Sequence, residues 1–300
     1  FILFHLLTTV LFQFILYWFN FQLSFISLII PFFMWFFVDR YFFGNEEQVK
    51  RLITNYLSYI LFITFFIYYF SHFIDISFDG NFYHADTMIQ LVYGWNPVTL
   101  DHQYMDTTGI LWGELYPKFT WIIGALFIKL THLSSSGMLI NALIGLSVFI
   151  KSYYFFKSKY STWFALLIAL TILFNPIFIE QFHSLYVDNV IAHLLVILIL
   201  ANLELMENYN LKSVFHIVVV SIILINIKFT SFAFAGLIDL SAFIYYLIKD
   251  RKIALKIVVY GIVILLIGLF IGYRPYLVNL LEGRNIFWPL VGENSWVSSN

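Results

Sequence analysis

The sequence predicts an all-α polytopic membrane protein. Hydrophobic residues make up 61% of the chain, and the mean hydropathy is +0.87. Only 11% of the residues are charged, whereas a soluble domain has about 25%. Stretches of roughly 20 residues recur with almost no charge, which is the length that a helix needs to cross a ~30 Å hydrocarbon core. We therefore expect a single transmembrane domain over residues 1–300 with about nine spans.

The predicted spans are the long apolar stretches between polar turns. They cover residues 1–19, 21–38, 53–72, 137–156, 161–175, 186–204, 213–228, 230–248 and 253–272. The first stretch is followed at once by another and has no small-residue cleavage site, so we interpret it as a span rather than a signal peptide. Because the chain starts at Phe1 and stops in the polar stretch WVSSN, we expect a fragment that is incomplete at both ends.

The apolar segment 117–132 is too short for a tenth span. The stretch from Thr120 to Lys129 gives only about 15 Å of helix. We therefore expect a helix that lies in the interface or re-enters the membrane. With nine spans, most Lys and Arg residues fall in the loops on one side, as the positive-inside rule requires of the cytoplasmic side. A tenth span would remove this bias.

The opposite side then receives a long external loop at 73–136 and the start of a second external segment at 273–300. The long loop is rich in aromatic residues, so we expect it to be structured. Asp79-Gly80 marks a turn after the third span. From His84 to Tyr93 the sequence predicts a short amphipathic interfacial helix, ended by the stretch GWNP. Its predicted apolar face consists of Ala85, Met88, Ile89 and Val92.

The candidate site residues of this loop are acids, histidines and a lysine: Asp79, His84, Asp101, His102 and Lys118. Asp79 lies at a span end and faces a structured loop, which favours a functional role. Asp101, like Asp106 and Glu114, is alternatively a solvated carboxylate. The two histidines could bind a divalent metal with nearby acids, but their spacing matches no tight signature. We do not favour a metal and predict no other cofactor.

Further candidates lie in the other external segments. Gln181 and Asp188 flank the sixth span, where the alternative is a helix cap with Ser184 as N-cap and Asp188 one turn into the helix. Lys228 lies between two spans and either snorkels or meets an anion. Arg274 and Arg284 follow the last span.

A separate acid, Asp239, lies near the middle of the eighth span. An intramembrane acid is a functional candidate by default, and the alternative is a protonated or paired residue in helix packing. The lone histidines of apolar segments are interpreted as packing residues: His5, His193 and His216.

Composition excludes several classes of function. The net charge of −1 argues against a nucleic-acid partner, because phosphates need a concentrated basic face. The absence of Cys excludes disulfides and thiolate chemistry. An acid at the membrane surface opposite Lys and Arg suits a lipid with an anionic head group. There a carboxylate can act as a general base, and the cations can stabilise a departing phosphate.

The order of the motifs adds a resemblance over residues 70–290. An early Asp after a span is followed by GWNP, YPK, NP…YVDN, N-x-K-x-T and GYRPY…PL. This order resembles the bacterial GT-C-type membrane glycosyltransferases, which include relatives of protein mannosyltransferases and aminoarabinose transferases.

The resemblance implies a GT-C-like fold in the bacterial cytoplasmic membrane and a polyprenyl-phosphate sugar donor. The acceptor would be a glycan, lipid or protein at the outer face. Asp79 matches the catalytic acid of the first loop, and Lys228 matches a lysine that contacts the donor phosphate. Asp188 matches a further polar residue near the site. Arg274 is a weaker match to the family pattern. Many relatives carry two adjacent acids in this loop, whereas here Gly80 follows Asp79.

Two other functions remain alternatives. A transporter or lipid flippase would use Asp239 near the midplane, although the sequence shows no convincing internal repeat. A polysaccharide polymerase or ligase would use similar lipid-linked substrates, but it usually has a large basic external loop, and the external loops here are not strongly basic.

Overall fold

The computed structural model describes residues 1–43, 46–99 and 110–292, and over these residues the chain is helical without a strand. Its helices are α1 (Ile2–Trp18), α2 (Ile26–Phe43), α3 (Glu46–Phe70), α4 (Ala85–Val92), α5 (Ile110–Leu115), α6 (Phe119–Thr131), α7 (Leu139–Lys157), α8 (Thr162–Leu173), α9 (Pro176–Gln181), α10 (Asp188–Glu207), α11 (Leu211–Ile225), α12 (Phe229–Lys249), α13 (Arg251–Ile271) and α14 (Asn279–Leu281). π-Helical turns cover Gly80–His84 and Tyr273–Val278, and a 3₁₀ turn covers Ser134–Met138.

Five helices in the described part of the chain are long and apolar enough to cross a membrane. They are α3 over Ile53–Phe70, α7 with its preceding 3₁₀ turn over Ser134–Lys157, and the whole of α10, α12 and α13. Shorter apolar helices occupy the other predicted spans, namely α1, α2, α8 and α11. The chain is therefore a helical, membrane-embedded protein, and the full count of nine spans stays a prediction.

The spanning helices differ in how much of their surface the protein covers. In α7 and α10, 61% of the apolar window is buried, whereas the fraction is 17% in α3 and α13 and 22% in α12. Large apolar side chains on the less covered helices point outwards, including Leu61, Leu237 and Leu266. Helices α7 and α10 thus form the centre of the bundle, and α3, α12 and α13 have faces suited to lipid.

Helix α6 occupies the segment 117–132, which was predicted to be a short helix. All its residues from Phe119 to Ile128 are buried, and it packs against α1, α4 and α7. Because the stretch from Phe119 to Ile128 is apolar on every side, neighbouring segments can bury its whole surface, whereas Leu130 near the end of the helix is exposed. The interfacial and the re-entrant positions both stay predictions for this helix.

Helix α4 forms within the predicted range, and the face that it buries differs in part from the predicted one. Thr87, Met88, Gln90 and Leu91 are buried, whereas Ile89 is exposed. The contact with α6 decides this orientation, because the sulfur of Met88 packs where Gly124 leaves room. A Cβ on that glycine would lie 2.6 Å from Met88 Sδ. Met88 of the predicted face is buried and Ala85 and Val92 pack against the core, so the prediction is wrong for Ile89 alone.

Candidate functional site

The chain that leaves α3 is fixed by Asp75, a residue that the sequence analysis did not select. Asp75 is 8% exposed. Its Oδ1 accepts a hydrogen bond from the Ser77 backbone N–H at 2.8 Å, and its Oδ2 accepts one from the Leu185 N–H at 2.8 Å. A Cβ at Gly80 would collide with this carboxylate. The Asp-x-Ser spacing is typical of an Asx turn. This local pattern is the sequence feature from which a structural role of Asp75 could have been predicted.

Asp79 lies directly before the π-helical turn and is half-buried. No described residue donates a hydrogen bond to its carboxylate. Burial and the charge of Asp79 together raise the pKa of Tyr83, and they raise the pKa of Tyr116 to about 12. Both phenols therefore stay protonated at neutral pH. The Asp79 carboxylate therefore has no hydrogen-bond donor among the described residues and can accept one from a ligand.

His84, at the end of the π-helical turn, is buried. Its Nδ1 accepts a hydrogen bond from Trp121 Nε1 at 2.6 Å, which requires Nδ1 to be unprotonated and leaves the proton of the neutral ring on Nε2. Burial, followed by the positive charge of Lys228, lowers the pKa of His84 to about 3, while Asp188 opposes the shift. His84 is therefore neutral at physiological pH and connects the π-helical turn to α6.

Lys228 and Asp188 form an ion pair beside His84. Lys228 Nζ lies 2.8 Å from Asp188 Oδ1, with side chains 34% and 48% exposed. Asp188 is the first residue of α10, where the helix dipole favours a negative charge, and Lys228 immediately precedes α12. An exposed pair of this kind contributes about 0–1 kcal/mol. Lys228 can therefore exchange this partner for another anion at low cost.

Lys118 and Arg274 bring two further cations to the cluster. Lys118 is 3% exposed, and its Nζ donates to the backbone carbonyls of Glu114 at 2.9 Å and Tyr116 at 2.8 Å. Burial, followed by repulsion from Arg274, lowers the pKa of Lys118 to about 7, and Glu114 opposes the shift. Arg274 Nε is buried without a hydrogen-bond partner among the described residues. Lys118 thus has internal partners, whereas Arg274 keeps an unused donor.

Aromatic rings join the segments that supply these groups. The Tyr116 ring centroid lies 6.3 Å from that of Tyr83 and 5.3 Å from that of Phe229, and Phe229 lies 5.6 Å from Tyr276. The Tyr276 hydroxyl in turn donates to the carbonyl of Ile225. These contacts hold the π-helical turn, α5, α12 and the segment after α13 against one another.

Six predicted site residues therefore meet in one region, which we call the outer cluster: Asp79, His84, Lys118, Asp188, Lys228 and Arg274. They are connected by the hydrogen bonds, ring contacts and charge effects described above. Helices α3 and α13 end beside the cluster, whereas α10 and α12 begin there. Two other predicted residues, Asp101 and His102, lie outside the described residues, as does Asp106.

Gln181 and Arg284 have local partners instead. Gln181 Oε1 accepts a hydrogen bond from the Asn189 backbone N–H at 3.0 Å and so caps α10. Arg284 pairs with Glu282 at 2.8 Å and lies 4.3 Å from the Trp288 ring. Neither contact involves the outer cluster, so a substrate role for either residue stays a prediction without structural support.

The predicted cap of α10 is wrong. The helix begins at Asp188 rather than after Ser184, and the residue before it, Val187, makes no side-chain cap. Ser184 Oγ instead donates to the backbone carbonyl of Gln181 at 3.0 Å. The cap comes from Gln181, seven residues before the helix, because the α9–α10 turn folds back on itself, a tertiary feature that a local capping pattern does not contain.

Comparison of the chain with protein-family models, with curated proteins and with solved structures finds no match. Within the part of the chain that the structure describes, no group of three or more His, Asp and Glu side chains is placed to hold a metal ion. The geometry of the outer cluster is therefore the basis for a functional assignment.

Proposed function

We propose that this chain is a GT-C-type glycosyltransferase that uses a polyprenyl-phosphate-linked sugar as donor. The observation that carries the proposal is the outer cluster itself. Asp79, whose carboxylate accepts no hydrogen bond from the described residues, lies in one region with Lys228 and Arg274. Among the same residues, Lys228 pairs with the exposed Asp188, and Arg274 Nε is buried without an acceptor. A base and two available cations are the groups that transfer from a sugar phosphate needs.

The proposed reaction is an inverting single displacement. Asp79 accepts the proton of the acceptor hydroxyl or amine as that atom attacks the sugar C1 from the face opposite the phosphate. The new bond to C1 forms while the bond between C1 and the phosphate oxygen breaks, and the electron pair stays on the phosphate. Lys228 and Arg274 stabilise the released polyprenyl phosphate.

The membrane arrangement belongs to the same proposal. With nine spans, the helix ends around the outer cluster lie on the non-cytoplasmic side, and the lipid tail of the donor lies in the bilayer. We propose the bacterial cytoplasmic membrane as the location and a glycan, lipid or protein as the acceptor. The positive-inside distribution of Lys and Arg supports this orientation.

Sugar transfer in membranes that contain the protein and labelled polyprenyl-phosphate sugars tests the proposal. We expect Asp79→Asn to lower the transfer rate by about 100-fold or more, since general-base catalysis typically contributes about 10²–10⁴-fold. The matched control is Glu180→Gln, which neutralises an exposed acid in the α9 region outside the outer cluster. Full activity of Asp79→Asn at normal expression would contradict the mechanism.

A further inference from the structure

A second polar group lies inside the membrane bundle, far from the helix ends that form the outer cluster. Asp239 is near the middle of α12. Its Oδ1 accepts a hydrogen bond from Asn202 Nδ2 of α10 at 3.2 Å, and its Oδ2 accepts one from Ser221 Oγ of α11 at 2.7 Å. None of the ion pairs among the described residues includes this carboxylate.

A cavity of about 220 Å³ lies beside Asp239, between α10, α11, α12 and α13. One water occupies about 30 Å³ of liquid, so the space admits one compact organic group. Apart from Asn202, Asp239 and the Tyr260 hydroxyl, its walls are apolar, and they include the ring of Phe243 and the open side of Gly261.

The polar side chains that line this cavity include one acceptor without a donor among the described residues. Asn202 Oδ1 is buried and has no hydrogen-bond partner among the described residues, and it lies on the same side chain that contacts Asp239. The Tyr260 hydroxyl is already bonded to the Tyr209 hydroxyl at 2.9 Å. An ammonium group has only donors and carries the charge that a carboxylate attracts. The nearby aromatic rings can also hold a cation over their faces.

We propose that this cavity binds a compact apolar ammonium ion. Its N–H groups bond to the Asp239 carboxylate and Asn202 Oδ1, and its hydrocarbon part fills the apolar space towards Phe243 and Gly261. The site is separate from the outer cluster, so the inference stands independently of the glycosyltransferase proposal. The competing interpretation is that Asn202, Ser221 and Asp239 only hold three helices together.

Equilibrium binding to the protein in lipid nanodiscs tests the inference, with empty nanodiscs subtracted. The probe is labelled 1-aminoadamantane, and 1-adamantanol is a neutral probe of almost the same shape. We expect saturable binding of the amine at least tenfold tighter than that of the alcohol. Asp239→Asn, which keeps the side-chain shape, should weaken amine binding at least tenfold and leave alcohol binding unchanged.

Two glycines provide a matched pair of variants that change no charge. A Cβ at Gly261 or at Gly236 would meet no heavy atom within 4 Å, but only Gly261 lines the cavity. Gly261→Val should narrow the cavity and weaken amine binding, whereas Gly236→Val should bind like the wild type. Circular dichroism establishes that each variant is folded.

Three results would overturn the inference. Equal affinity for amine and alcohol, or unchanged amine binding by Asp239→Asn, would identify an apolar cavity without recognition of charge. Absence of saturable binding by the folded wild-type protein would leave Asp239 as a helix-packing residue only.

Discussion

Asp79 and Asp239 are both acids in an apolar chain, but their surroundings differ. Asp79 lies at a helix end among Lys and Arg, and no described residue donates a hydrogen bond to it. Asp239 lies inside the bundle, where both of its oxygens accept hydrogen bonds from neighbouring helices. The Asp79 carboxylate is available to accept a proton from a substrate, whereas each oxygen of Asp239 already accepts one hydrogen bond that links helices and keeps a second lone pair for a ligand. The same contrast occurs between Asp79 of the outer cluster and the internally bonded Asp75 four residues before it.

The largest expected effect is a loss of sugar transfer on substitution of Lys228. It tests whether the residues around Asp79 act on a substrate rather than on stability. Lys228→Ala should reduce sugar transfer by about 10- to 100-fold, because a charge-assisted contact to the phosphate is worth about 1.5–3 kcal/mol. The free energy of unfolding should change by less than about 1 kcal/mol, since the ion pair with Asp188 is exposed. Transfer assays and thermal unfolding in detergent measure the two quantities.

Lys212→Ala is the matched control for Lys228, because Lys212 is an exposed lysine at the opposite end of α11. It should leave both quantities unchanged. A Lys228→Ala protein that transfers sugar normally but is several kcal/mol less stable would make the lysine structural.

A smaller effect, on the free energy of unfolding, is expected from substitution of Asp75. Asp75→Asn replaces one of two acceptor oxygens by an amide, so the Ser77 or the Leu185 N–H loses its partner. We expect the free energy of unfolding to fall by about 1–3 kcal/mol, the cost of an unsatisfied buried group. Asp79→Asn should leave stability nearly unchanged, because no described donor bonds to that carboxylate. Equal destabilisation by the two substitutions would contradict the contrast between them.

The most gradual expected effect is the pH dependence contributed by His84. Its pKa is about 3 in the folded chain, below the ordinary value of about 6.5, so below pH 6.5 the unfolded chain binds a proton that the folded chain does not. Its contribution to stability is therefore present above pH 6.5 and is lost as the pH falls from 6.5 towards 3, by at most about 1.4 kcal/mol per pH unit.

Thermal unfolding of the wild type and of His84→Gln between pH 4.5 and pH 7 measures this contribution. The variant should show a shallower decline in stability on acidification. His72→Gln is the control, since His72 is exposed after the end of α3, and it should behave like the wild type. An equally steep decline in His84→Gln would show that other groups cause the acid sensitivity.

Sequence reasoning located most of the outer cluster because its residues follow the ends of apolar stretches. Asp79, Asp188, Lys228 and Arg274 each lie where a span was predicted to begin or end, and such positions place polar groups at one membrane face. The same reasoning did not select Asp75, because its importance depends on the N–H of Leu185, which lies 110 residues away. A contact at that separation leaves no local pattern.

By itself, the sequence determined that this chain is a helical membrane protein, because apolar length and low charge decide which segments leave water. Only the tertiary structure decided which polar residues have hydrogen-bond partners within the described chain and which remain available to a ligand. It buried α6 from Phe119 to Ile128 on all sides, turned α4 so that Met88 rather than Ile89 faces inwards, and gave Lys118 internal carbonyl partners. Hydrogen-bond partners and packed faces come from segments distant in the chain, and composition and periodicity do not encode that pairing.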